Sequence, residues 1–245
     1  MQHAPEYGQF SRSIFTAVPA DPCSREAAFY RQTIPRFPDE AVYIYSFREN
    51  QMIYAAGWEE VLGYKDDEIS MLTIVNSSTP KFAPFSNELN DKALQFIMSK
   101  REDLEKYSFT IELKQIHKNG SEVPIVARVG VHGAENGKVV SIKGSFQVNR
   151  SINFGKVMRY AAYGPEKEFF EEELNKSLFY HLTISNKEKE ALVLAARGYS
   201  FKEIADALKV SNSAIDKRII PMYKRFNVNS LAHLVSFAYE NHILP

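Results

Sequence analysis

Three stretches in the middle of the chain alternate apolar and polar residues with a period of two, and an Asn-Gly pair lies between each and the next. In YSFTIELKQ, Tyr107, Phe109, Ile111 and Leu113 oppose Ser108, Thr110, Glu112 and Lys114. VPIVARVGV places Val123, Ile125, Ala127, Val129 and Val131 on one side, and VVSIKGSFQV sets Val140, Ile142, Phe146 and Val148 against Ser141, Lys143, Ser145 and Gln147. Period two is the strand period, and one apolar side per strand means one buried sheet face. Asn119-Gly120 and Asn136-Gly137 suit the positive φ angles of tight hairpins. Upstream, AVYIYSF, the polar turn RENQ and MIYAA read as another hairpin. The expectation is a five-stranded antiparallel sheet. Short helices follow its second strand, through GWEEVLGYKDDEISMLTIV and FSNELNDKALQFIMSKRE.

At 245 residues the chain has room for two modest domains. Residues 1–23 mix Pro, Gly and aromatics without periodicity and read as a loose arm with a little docked structure; CSREAAFYRQTI follows as a short helix capped by Ser24. Residues 24–150 make the sheet domain. Residues 151–181 read as a helical linker, with Phe169, Phe170, Leu174 and Leu178 near helical spacing. Residues 182–245 form a second domain. Cys23 is the only cysteine and no long apolar run is present, which fits a reducing, cytoplasmic setting and no membrane partner. Formal charge balances to zero, so only a local excess can attract a polyanion. From Leu182 onward there are nine Lys/Arg against six Asp/Glu.

Helix signals are dense at this end. Ser185 with Glu188 and Ser200 with Glu203 are two capping boxes, in which each side chain satisfies a backbone donor near the other. Gly198 suits the end of the first helix, Ser211 caps a third, Asn227 suits its end, and Ser230 caps a fourth. Hydrophobic staples are expected for Tyr199 with Ile204 and for Val210 with Ile215. Four short helices with a tight turn at Lys209-Val210 describe a helix-turn-helix inside an all-α bundle. A docking bundle would carry the same caps.

The residues themselves narrow this. Glu190, Leu192, Leu194, Ala196, Gly198, Ser200, Lys202, Glu203, Ile204, Ala205, Leu208, Val210, Ser211, Ile215 and Val228 make the segment resemble the LuxR/GerE-type DNA-binding domain. The resemblance implies a transcriptional regulator that binds double-stranded DNA, commonly as a homodimer on two half-sites. The helix after Ser211 would be the reading helix, with Ile215, Ile219 and Met222 inward and Asn212, Ser213, Asp216, Lys217 and Ile220 outward. Lys202, Lys217, Arg218, Lys224 and Arg225 are the phosphate candidates. The chain departs from the family pattern at Asp216, where Lys is usual, at Ala214 and Arg218, where Thr and His are usual, and at Leu231, where Arg is frequent. Pro221 removes one backbone donor within the helix and predicts a kink behind the reading turns.

MIYAAGWEEVLGYKDDEI and HKNGSEVPIVARVGVHGAENGKVVSIKGSFQV resemble PAS domains, which implies a sensor of a small ligand or protein partner. A photoactive flavin of that family needs a cysteine in the helical region, and Cys23 lies outside it. Residues 82–100 hold no histidine for a haem; His117 and His132 fall near strand ends. Tyr107, Phe109 and Phe146 are candidate cavity residues, and no cofactor or metal is expected. H-E-x-x-H, Walker, G-x-G-x-x-G and G-x-S-x-G patterns are absent, so no catalytic residue is assigned. The fold expected is α+β, a PAS-like five-stranded antiparallel sheet followed by a four-helix helix-turn-helix domain. The function expected is a ligand-responsive DNA-binding regulator. The alternative is a signalling adaptor whose helical bundle no longer binds DNA.

Overall fold

The computed structural model describes residues 8–150, 159–171, 184–240 and 243–244. These fall into two compact units, one built on a sheet and one on the last four helices. In the first, α1 (Gln9–Ile14) and α2 (Arg25–Thr33) precede β1 (Glu40–Ser46) and β2 (Gln51–Ala56). Next come α3 (Trp58–Leu62), α4 (Met71–Asn76) and α5 (Ala83–Ser99), then β3 (Ser108–Ile116), β4 (Glu122–Glu135), β5 (Lys138–Val148) and β6 (Arg159–Tyr163).

The strand order is β2-β1-β5-β4-β3-β6, and β1 to β5 pair antiparallel throughout. The β4–β5 hairpin closes on Glu135 paired with Lys138. Asn136 and Gly137 both take positive φ, 50° and 68°, the geometry of the two-residue turn that matches strand twist. The other Asn-Gly behaves differently. Ile116 pairs with Glu122, leaving a longer loop, in which Gly120 alone is left-handed and Asn119 Oδ1 accepts from the backbone and hydroxyl of Ser121.

The alternation places most of its apolar side as expected, although Val123, Val131, Val140 and Val148 are half-buried and Ser141, expected on the solvent side, is buried. Tyr107, Phe109, Ile111, Leu113, Ile125, Ala127, Val129, Ile142 and Phe146 are buried. β1 is buried on both faces, since α2 covers Val42, Ile44 and Tyr54 with Ala27. Trp58 anchors α3 by donating its Nε1–H to the Val42 carbonyl at 3.0 Å. Ser24 caps α2 as expected, accepting from the Ala27 amide.

One expectation is corrected. The sheet has a sixth strand, and that strand lies in the segment expected to be a helical linker. RYAAY is short and carries two tyrosines and no clean alternation; neighbouring β3 stabilises it as a strand where its own pattern is silent. Gly164 follows at φ 130°, where a Cβ would meet the Tyr107 ring at 2.5 Å. Helix resumes over 167–171; there Phe170 is buried and stacks on Phe96 at 4.4 Å, while Phe169 is exposed. Leu174 and Leu178 lie outside the described residues.

The docked structure of the arm is a helix. Residues 8–20 include α1, whose first-turn amides, those of Phe10 and Ser11, are accepted by Asp91 of α5 together with the Ser11 hydroxyl. A carboxylate 80 residues away thus does the work of an N-cap side chain. Phe15 then buries against Tyr45, ring centroids 5.0 Å apart. No helix among the described residues is long and apolar enough to cross a membrane.

Candidate nucleic-acid interface

The helical unit consists of α6 (Asn186–Ala196), α7 (Phe201–Leu208), α8 (Asn212–Phe226) and α9 (Leu231–Glu240). Both capping boxes form in full. Ser185 accepts from Glu188 N–H and Glu188 from Ser185 N–H; Ser200 and Glu203 repeat this. The Glu203 carboxyl titrates below its ordinary value, chiefly because the Ser200 amide, and then the Ser200 hydroxyl, donate to it. Ser211 caps α8 by accepting from Ala214 N–H at 3.2 Å, and Ser230 accepts from His233 N–H. The turn between α7 and α8 needs one left-handed residue, which Lys209 supplies at φ 53°.

Caps and turn set how α8 rolls. Ile215, Ile219, Met222 and Phe226 are buried in a core shared with Leu192, Ile204, Leu234 and Ala238. Of the expected staples, Val210 packs onto this core, whereas Tyr199 is exposed. On the opposite side Ser213, Lys217, Ile220 and Lys224 recur at helical spacing, all exposed, with Asn212 exposed beside them. Ile220 is 51% exposed. Lys202 is exposed at the start of α7. Asp216 and Arg218 are half-buried, and Arg218 donates weakly to the Lys187 carbonyl at 3.4 Å.

Arg225 is elsewhere. Its side chain is 4% exposed and its Nη2 lies 2.7 Å from Glu188 Oε1, itself 13% exposed. This candidate ties the end of α8 to the start of α6 and has no free face for a phosphate. Lys209, exposed immediately before the Ser211 cap, was read only as a turn residue. Its position one turn from the reading helix was the available signal. Pro221 does not end α8, which runs unbroken from Asn212 to Phe226.

Residues 182–238 match the family described as GerE, bacterial regulatory proteins of the luxR family. The helical unit is a luxR-family domain. No curated protein matches the chain. Among solved structures, the chain is similar to a phage VqmA in complex with DPO, at 17% identity and a TM-score of 0.37, with 90% of this chain and 92% of that one covered. It is also similar to a Vibrio cholerae VqmA dimer solved without target DNA, at 14% identity and a TM-score of 0.34, covering 88% and 87%. A PAS domain from Colwellia psychrerythraea aligns at 15% identity and a TM-score of 0.39, over 51% of this chain and 99% of that one.

In the sheet unit the three candidate aromatics separate. Phe109 and Phe146 line a cavity of about 40 Å³ between the sheet and α4–α5. Tyr107 does not; it packs edge-on to Phe96. His117 packs where a side chain on Gly63 would stand and accepts from the Asn119 amide, a loop-closing role. His132 meets Tyr30 edge-on, and burial, followed by the charge of Lys143, lowers its pKa.

Proposed function

We propose that the protein is a sequence-specific DNA-binding transcriptional regulator whose PAS-like unit senses a small ligand or a protein partner. The observation that carries the DNA half is the exposed stripe of α8, Ser213, Lys217, Ile220 and Lys224, set directly opposite its buried stripe. Reading helices of this kind use their first turns on base edges and surrounding cations on phosphates. Asn212, Ser213 and Lys217 occupy those turns. Lys202, Lys209 and Lys224 supply exposed positive charge around them. A homodimer on two half-sites belongs to this reading, as does a coupling in which the occupant of the sheet unit biases the arrangement of two DNA-binding heads.

Asp216 favours cytosine at its contact, because a carboxylate accepts from the exocyclic amine of that base. Binding to genomic fragments, measured by gel shift over a salt series, tests the reading. Each phosphate neutralised contributes a slope of about −0.9 in log affinity against log salt. Lys217→Ala with Lys224→Ala removes up to four phosphate contacts from a dimer and is expected to shallow the slope by roughly three to four. An unchanged slope and affinity would place the surface elsewhere. The exposed Ile220 beside Asp216 is the feature an adaptor would use instead, and an adaptor shows no salt-dependent DNA binding at all.

A further inference from the structure

The two Asn-Gly pairs differ in more than the length of their turns. Asn119 is exposed, and its Oδ1 accepts from the Ser121 amide at 2.9 Å and from the Ser121 hydroxyl at 2.7 Å. Among the described residues the Asn136 side chain has no such donor. The glycines differ too. A Cβ on Gly120 would meet nothing within 4 Å, whereas one on Gly137 would lie 3.2 Å from the Arg101 carbonyl. Gly137 is held in a two-residue turn closed by Glu135 and Lys138. The N–H of Gly120 is tied to the His117 carbonyl at 2.8 Å.

These differences bear on a reaction that Asn-Gly undergoes without an enzyme. The backbone nitrogen of the glycine attacks the asparagine Cγ, and glycine leaves that nitrogen unshielded by a Cβ. A bond forms between nitrogen and Cγ while negative charge collects on Oδ1. The Cγ–Nδ2 bond then breaks. The glycine N–H proton passes to solvent, and the departing amine takes a proton from water and leaves as ammonia. Water opens the cyclic imide at either carbonyl, giving aspartate, or isoaspartate, whose main chain runs through the former side chain. Donors already aimed at an oxygen where charge develops stabilise such a transition state. Ser121 aims two at Oδ1 of Asn119.

We propose that Asn119 is a site of spontaneous modification, converted through this imide to aspartate and isoaspartate, and that Asn136 is spared. The proposal stands apart from the DNA-binding and sensing roles. Attack requires the peptide joining Asn119 to Gly120 to turn until its nitrogen faces Cγ. That turn gives up the Gly120–His117 bond and presses on nothing around Gly120. At Asn136 the same rotation opens the end of the β4–β5 hairpin and drives Gly137 toward Arg101. The product matters because of what the loop holds. The Lys118 amide donates to the Leu62 carbonyl at 2.8 Å, its ammonium lies 2.6 Å from Glu68, and the His117 ring fills the hollow over Gly63. Isoaspartate lengthens the path from His117 to Ser121 and sets a new negative charge beside Lys118, so the grip of this loop on the end of α3 is what the modification loosens.

The test incubates the full chain in mildly alkaline buffer, folded and in urea, and follows both sites by mass spectrometry of peptides cut in acid, where conversion stops. An isoaspartate-specific methyltransferase labels the rearranged product. In the folded chain Asn119 is expected to convert about tenfold faster than Asn136, whose turn must open first. In urea the two rates become equal. Ser121→Ala, which removes one exposed hydroxyl, is expected to slow Asn119 by roughly threefold in the folded chain, the lower end of one net hydrogen bond, and to change nothing in urea. An unconverted Asn119, a folded ratio no greater than the ratio in urea, or a folded Ser121→Ala rate equal to the parent's would each overturn the assignment. Should Ser121→Ala fail to fold, the folded and urea ratios of the parent decide.

Discussion

The guanidinium of Arg225 faces Glu188 across two helices, and its neighbour Lys224 faces outward. The difference follows from the roll of α8. Arg218 and Arg225 each stand three residues after a buried position, Ile215 and Met222, so both flank the core, whereas Lys217 and Lys224 sit on the far side. Replacing Arg225 by Ala strands Glu188 in a nearly dry site, and a loss of about 3 kcal/mol is expected in urea denaturation. Arg225→Met, which fills the volume, is expected to leave the salt slope of DNA binding at the parent value. A slope shallower by about two, one contact from each subunit of the dimer, would show that Arg225 does reach a phosphate. The run YKR reads locally as a basic tip. Its burial depended on a partner 37 residues away, which no local periodicity reveals.

Elements with strong local signals were legible to the residue. Ser185, Ser200 and Ser211 each cap the helix their spacing announces, and Asn136-Gly137 closes the hairpin its dipeptide favours. β6 and α1 were not legible, because each is held by distant groups, the edge of β3 and the carboxylate of Asp91. Asp91→Ala is expected to loosen 9–15 while leaving the sheet intact, seen as faster amide exchange confined to α1. The capping box of α7 carries a pH signature. Glu203 is depressed from 4.5, so its contribution is present above that value and is lost as pH falls through the lower folded pKa. Melting curves of the parent and Glu203→Gln should therefore converge in acid and separate near neutrality. In α8, Pro221→Ala restores a donor to the Lys217 carbonyl. A gain of about 1–2 kcal/mol is expected in denaturation, less than the ideal-helix cost because proline also restricts the unfolded chain.

At the scale of the whole chain, two units have separate cores, and the proposed function gives them separate tasks. If occupancy of the sheet unit changes DNA affinity by some factor, DNA must change the affinity for the occupant by the same factor. Paired titrations of an occupant of the sheet unit with and without a bound operator fragment check this. Unequal factors would mean that the two probes report different states. The division into sheet unit and helical unit could be read from the change of period between 148 and 185. The placement of 159–163 could not, because strand membership there is conferred by a neighbour. That strand has a practical consequence for anyone trimming the gene. A fragment cut after residue 150 keeps all five of the expected strands yet leaves β3 with an open row of amides and carbonyls along its outer side. Such a border invites pairing between copies, so precipitation of that fragment would report on the scissors rather than on the parent. A boundary placed beyond residue 171 keeps the border closed.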